Sequence, residues 1–211
     1  MLVALAVLAA SALTTYASPS SRAATPDNNN FVSVKSKTDF WCAIRVLYSP
    51  VLVLTQVPSP NSMIMPKDAH TNIGDSERPG GTTTYCSPAA HNSSTAQGTF
   101  SDAFWTRVEY ESGVGRGGQK FAQLTGCINP RTVDRLNPGD EGGQYDSSGG
   151  QRGTGNPVGS TCVGFKHYVE IVEPGGNRAC IRCCNDAADC PTNKDTQGCP
   201  VVIPGNYAGC D

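Results

Sequence analysis

Charge is scarce in this chain. Asp, Glu, Lys and Arg together make up 16% of 211 residues and the formal net charge is only -2. A chain this close to neutrality carries no electrostatic footprint for nucleic acid or for an anionic membrane surface. Histidine is also rare, and His70, His91 and His167 stand far apart without metal-ligand spacing. No G-x-S-x-G elbow, H-E-x-x-H helix or phosphate-cradling loop is present, which removes the commonest nucleophile, zinc-protease and nucleotide signatures. Apolar runs are short: the longest, Leu2 to Leu13, falls well below the roughly 20 residues a bilayer span needs. That run is followed by small and polar residues with Thr15 and Ala17 before Ser18, and residues 1–17 read as a secretory signal peptide, although the usual basic start is missing. The end of the chain, GNYAGCD, lacks the hydrophobic tail of a lipid-anchor signal. A secreted, extracellular product without a membrane segment is expected.

What the chain has in quantity is glycine (23), proline (15) and cysteine (10). Glycine and proline favour turns and short strands over long helices, so regular structure alone holds such a chain poorly. The cysteines are Cys42, Cys86, Cys127, Cys162, Cys180, Cys183, Cys184, Cys190, Cys199 and Cys210. In an oxidising compartment an even set of this kind reads as disulfides, each stabilising by about 2 to 4 kcal/mol, with connectivity left open. The cluster from Cys180 through Cys183 and Cys184 to Cys190 and Cys199 resembles zinc spacing; an exported chain oxidises those thiols instead, and no metal or other cofactor is assigned.

The expected fold is mainly β with irregular loops and at most short helices, in one small disulfide-rich domain. Residues 18–30 are polar and aperiodic and read as a flexible arm; residues 31–211 form the cysteine-rich extracellular domain. Strands are predicted at Phe31 to Ser36, Thr106 to Ser112, Lys120 to Ile128, His167 to Pro174 and Arg178 to Cys184. Ile44 to Val57 is β-branched and apolar, but Pro50 restricts it to an edge or breaks it in two. Gly113 to Gly118 reads as a hairpin loop, and Pro130 to Leu136 as a short helix capped by Asn129. Asn92-Ser93-Ser94 is an N-glycosylation sequon in a polar loop.

The stretch from Asn137 to Pro157, NPGDEGGQYDSSGGQRGTGNP, is the most unusual in the chain. Asp140, Glu141 and Asp146 between glycines suggest three roles. A calcium loop is one, although the spacing does not follow the EF-hand. A catalytic pair for glycan cleavage is another, with the second carboxylate supplied by Glu109, Glu111 or Glu170. The preferred reading is a surface loop pinned by Cys127 and Cys162 at its ends. Loops on rigid scaffolds carry recognition, so Asp140, Glu141, Tyr145 and Asp146 are the candidate ligand-binding residues, and no catalytic residue is assigned. Trp41, Trp105, Tyr110 and Tyr145 could stack on sugar rings, though such aromatics more commonly pack in cores.

KFAQLTGCIN, DRLNPGDEGGQYDSSGG, GNPVG and the closing GNYAGCD, in that order, resemble secreted fungal glycoproteins of the macrophage-activating type. The resemblance runs from Asp39 to Asp211 and is most specific over Phe121 to Asn129, Gly139 to Asp146 and Gly155 to Gly159. It implies a fungal extracellular or cell-wall-associated glycoprotein that meets wall polysaccharide or a host surface, and carries over no catalytic residue. The alternative is a secreted hydrolase or lyase acting on wall glycans through the acidic residues. Against that group, Ile44 to Ser62 is an insertion, and its hydrophobicity within a polar chain suggests translated intron sequence. Transcript reads across the junction are expected to skip it; uniform coverage of the insert in mature messenger would refute the idea.

Overall fold

In the computed structural model the described residues are 30–34, 40–42, 62–78, 80–88, 91, 97–149, 155–156, 160–162, 164–194 and 196–210. The signal segment 1–17, nearly all of the arm 18–30, the apolar segment Ile44 to Val57, all of the insert Ile44 to Ser62 except Ser62, and the sequon at Asn92 lie outside them. Of the arm only Asn30 is described, as the first residue of a strand.

The chain is mainly β, as its glycine and proline content predicts. Its strands are β1 (Asn30–Val34), β2 (Phe40–Cys42), β3 (Ser62–Pro66), β4 (Thr82–Cys86), β5 (Gly98–Thr99), β6 (Trp105–Val114), β7 (Lys120–Ile128), β8 (Gly143–Asp146), β9 (Ser160–Cys162), β10 (His167–Glu173) and β11 (Arg178–Cys184). Among the described residues there are also two α-helices of four residues each, α1 (Ile73–Ser76) and α2 (Cys199–Val202). The strands form a five-stranded sheet in the order β6-β7-β11-β10-β8 and two three-stranded sheets, β2-β1-β9 and β3-β4-β5. Every pairing in the large sheet is antiparallel.

Four of the five sequence-predicted strands in described regions match closely because each is a β-branched or aromatic run bounded by turns: β6, β7, β10 and β11 fall on or within two residues of their expected limits. The fifth, expected from Phe31, corresponds to β1. The hairpin between β6 and β7 closes over Gly115 to Gln119, with Gly115 N–H donating to Gln119 O. The helix expected over Pro130 to Leu136 is shorter, a single 3-10 turn over Pro130–Thr132. Asn129 caps it as expected, accepting from Arg131 N, but Val133 is already extended and its side chain is in the core.

The large sheet is apolar on both faces. Tyr168 and Val172 of β10, Ile181 and Cys183 of β11, and Ala122 and Leu124 of β7 face the main core together with Met63, Ile64 and Met65 of β3. Aromatic rings extend that core from Tyr85 through Phe100, stacked on Phe104 at 4.2 Å, to the edge-on Trp105. The alternate residues Val169, Ile171, Cys180 and Cys184 face a second core, closed by Cys190, Cys199, Val202 and Ile203 from the C-terminal segment. The period of two along each strand therefore yields two apolar faces, as expected where both sides of β10 are covered.

The bridges Cys127–Cys210, Cys162–Cys183, Cys180–Cys199 and Cys184–Cys190 tie these layers together. Cys86 is disulfide-bonded as well. Three of the four bridges join β11 to its surroundings, one reaching into the main core through β9 and two into the C-terminal coat. One glycine is required by backbone proximity. β6 carries a bulge between Trp105 and Arg107, which brings the Arg107 carbonyl over Gly126 of β7, where any Cβ would collide with it.

Candidate functional site

The described part of the glycine and acid stretch is not a solvated excursion. Its centre is β8, the edge strand that pairs with β10 through Gly143↔Val172, Gln144↔Ile171, Tyr145↔Glu170 and Asp146↔Val169. Gln144, Tyr145 and Asp146 are buried. The flanking cysteines are each anchored by a disulfide, Cys127 to Cys210 and Cys162 to Cys183. Gly142, at φ 108°, turns the chain into the strand with its α-carbon too close to the Val172 carbonyl for a side chain.

The candidate residues divide by position. Asp140 sits ahead of the strand and accepts hydrogen bonds from Ile73 N at 2.8 Å and from Gly142 N at 3.1 Å. The first bond satisfies an amide at the start of α1, and the second shapes the turn into β8. Glu141 is exposed. Tyr145 faces the main core and shares a hydrogen bond with Ser76 Oγ at 2.5 Å, while Glu77 accepts from Gln144 N at 3.0 Å. These contacts moor α1 along β8. Burial raises the Tyr145 hydroxyl well above the ordinary tyrosine range, against the lowering effect of its bond to Ser76; the nearby carboxyl groups of Glu170, Glu77 and Asp140 act in the same direction as burial. Tyr145 therefore stays protonated and serves as a structural donor or acceptor.

Asp146 lies on the opposite face. Its carboxylate accepts from Ser148 N and Ser148 Oγ, both at 2.6 Å, and from Gln144 Nε2 at 2.5 Å. This is an Asx turn that reverses the chain after β8.

Strand register then decides whether these carboxylates can be paired for glycan cleavage, which requires two groups separated by about 5 to 9.5 Å across the bond. Glu170 stands opposite Tyr145, and Asp146 opposite Val169, so Asp146 and Glu170 point to opposite sides of the sheet. Glu170 is 0% exposed and accepts from Ile64 N through both carboxyl oxygens, at 2.9 and 3.1 Å. Glu109 and Glu111 belong to β6, four strand positions from β8, a separation of roughly 19 Å at 4.8 Å per strand. Glu111 accepts from Gln123 and Glu109 from Asn206. None of the three suggested partners faces Asp140 or Asp146 across an open cleft.

Glu170 is the residue whose importance its sequence pattern concealed. In HYVEIVEP it looks like one more polar position in an alternating strand, yet it enters the core and meets the amide of Ile64 on β3, the outer strand of its sheet. Burial pushes its carboxyl well above the ordinary value of 4.5, against the lowering effect of the Ile64 amide. The Glu170 carboxyl there joins the two sheets by a hydrogen bond that isolated β3 could not make.

The proposed sugar-stacking aromatics are mostly core residues. Tyr145 is buried, and Trp105 and Tyr110 are half-buried against the main core; the Trp41 side chain lies outside the described set. Among the described residues no three His, Cys, Asp or Glu side chains are placed to hold a metal ion, and Cys180, Cys183, Cys184, Cys190 and Cys199 each have their sulfur in a disulfide. No described helix is long and apolar enough to cross a membrane. A surface recess of about 460 Å³ opens on the other side of the Asp146 turn, lined by Ser147, His167, Ala188, Thr192 and Asn193 among others. Its lining carries no Asp, Glu, Lys or Arg side chain and is more apolar than polar, with Ala187, Ala188, Cys190 and Pro191 among its residues. No family model, curated protein or solved structure matches the chain.

Proposed function

We propose that this chain is a secreted, disulfide-rich, non-catalytic glycoprotein of the fungal wall-associated or effector-like kind, carrying glycan at Asn92 and meeting wall polysaccharide or a host surface. One observation carries the reading: three of the acidic residues suggested for glycan chemistry, Asp140, Asp146 and Glu170, are engaged by hydrogen bonds that hold the fold. Asp140 accepts from two amides, Asp146 from one amide and two side chains, and Glu170 from a buried amide. A general acid or base needs a proton route to substrate in a site that substrate can enter, and Glu170 has none. The bridges joining both cores to β11 favour an oxidising, extracellular setting. The segments that carry the resemblance, Phe121 to Asn129 and Gly139 to Asp146, coincide with β7 and with β8 and the turn leading into it.

The test is a pull-down of the secreted, oxidised protein on chitin, β-glucan and mannan, with analysis of the soluble fraction for released sugars. Retention on at least one polysaccharide without sugar release is expected, and the Asp140→Asn variant should behave like the parent. Sugar release that disappears in Asp140→Asn would replace this reading with the hydrolase or lyase alternative.

A further inference from the structure

β6 ends the large sheet, and among the described residues nothing pairs with its outer edge. At ten residues it is about twice the length of an average strand. Natural edges of this length are ordinarily blunted by proline, by inward-facing charge or by being covered. β6 contains no proline, its one bulge lies at its start between Trp105 and Arg107, and from Val108 to Val114 its register with β7 is regular. Its charged residues, Arg107, Glu109 and Glu111, are exposed on the face that the C-terminal segment borders, where Arg107 donates to Ala208 O and Asn206 donates to Glu109. On the other face, the main core is incompletely closed at this edge, for Val108 and Tyr110 pack against it but remain half-exposed.

We propose that β6 is the interface for a second copy of this chain, the two strands pairing antiparallel about a two-fold axis through Val108. A two-fold axis perpendicular to a continuous sheet pairs residues of the same face only, so permitted registers centre on a single residue. Charge selects among them. Centring on Arg107 places Arg107 against itself, centring on Glu109 places Glu109 against itself, and centring on Tyr110 sets Glu109 against Glu111 twice. Centring on Val108 sets Arg107 opposite Glu109 twice and brings no like charges together. The same register lays Val108 on Val108 and Tyr110 on Thr106 of the second copy, covering the two half-exposed positions that the isolated chain leaves at its core edge. Arg107 and Glu109 retain capacity for this, because a guanidinium has five donors and a carboxylate two acceptor oxygens. The result is a ten-stranded sheet with its outer edges at the two copies of β8.

Sedimentation equilibrium of the full oxidised protein tests the interface. A concentration-dependent monomer–dimer equilibrium is expected. Arg107→Glu and Glu109→Arg should each weaken dimerisation about tenfold or more, since two attractive cross-strand pairs become repulsive. The double variant should restore the parent behaviour, and dilution should deprotect the β6 amides in hydrogen exchange. Near-UV circular dichroism and a thiol assay establish that each variant is folded and oxidised. A protein monomeric up to millimolar concentration, or a dimer that ignores both reversals, would overturn the proposal; monomers whose β6 edge captures an added strand-forming peptide would do so too, in favour of a different occupant.

Discussion

Replacing Cys127 and Cys210 together by alanine is expected to lower the unfolding free energy by about 4 to 5 kcal/mol, the largest loss from any single described bridge. The bond closes a segment of 83 residues, and the entropy that a cross-link removes from the unfolded chain grows with the logarithm of that length. The bridge from Cys184 to Cys190 spans 6, and the same relation gives about 2 kcal/mol for its loss. Cys180–Cys199, spanning 19, falls between them at about 3 kcal/mol from closure alone. Both of its cysteines are wholly buried in the second core, so its removal also leaves a void there, and its loss should exceed the closure value. Denaturant midpoints measured with each pair replaced by alanine supply the order. Equal losses from the long and the short bridge would show that native packing, and not the unfolded chain, sets the effect.

Replacing Glu170 by glutamine is expected to stabilise the protein at neutral pH and to remove the part of its stability loss between acid and neutral pH that comes from this carboxyl. The folded-state pKa of Glu170 is raised by burial, so between its unfolded and folded values the native chain holds a proton that the unfolded chain has released. Stability contributed by the neutral form is complete below the ordinary carboxyl value of 4.5 and falls as pH climbs toward the folded value. Glutamine cannot ionise and keeps an oxygen for the Ile64 amide, so Glu170→Gln should match the parent in acid and exceed it at neutral pH. Glu170→Leu gives the counterpart. It leaves Ile64 N–H buried without an acceptor, at a cost of about 1 to 3 kcal/mol relative to glutamine. Thermal unfolding of the three proteins from pH 4 to 8 decides the matter. Parallel curves for parent and Glu170→Gln would mean that Glu170 is ionised in the folded state.

Strands that could be read in advance are those whose own residues state their conformation. β7, β10 and β11 are β-branched or aromatic runs of seven to nine residues between turn signals, long enough for composition to decide. β8 has four residues and is flanked by glycine, so its acids and glycines pointed to a solvated loop. What makes it a strand is the outer edge of β10, a partner that follows it by over twenty residues and is invisible to local pattern. β3 and β4 are five-residue strands that pair with each other across more than fifteen residues, and their signal is tertiary in the same way. The acidic site was legible as a cluster but not as a function: Asp140, Tyr145 and Asp146 do lie together, yet a strand alternates its side chains, and that alternation sends Asp146 to one side of the sheet and Tyr145 to the other.

The connection from Cys127 to Cys210 also sets an order of events at synthesis. When Cys127 is made, its partner is still 83 residues away, roughly 4 to 17 s at 5 to 20 residues per second. Cys162, Cys180, Cys183, Cys184, Cys190 and Cys199 all appear in that interval. A cell producing this chain in an oxidising lumen must therefore keep one thiol waiting among six competitors, and its yield depends on how fast an isomerase can undo a premature choice.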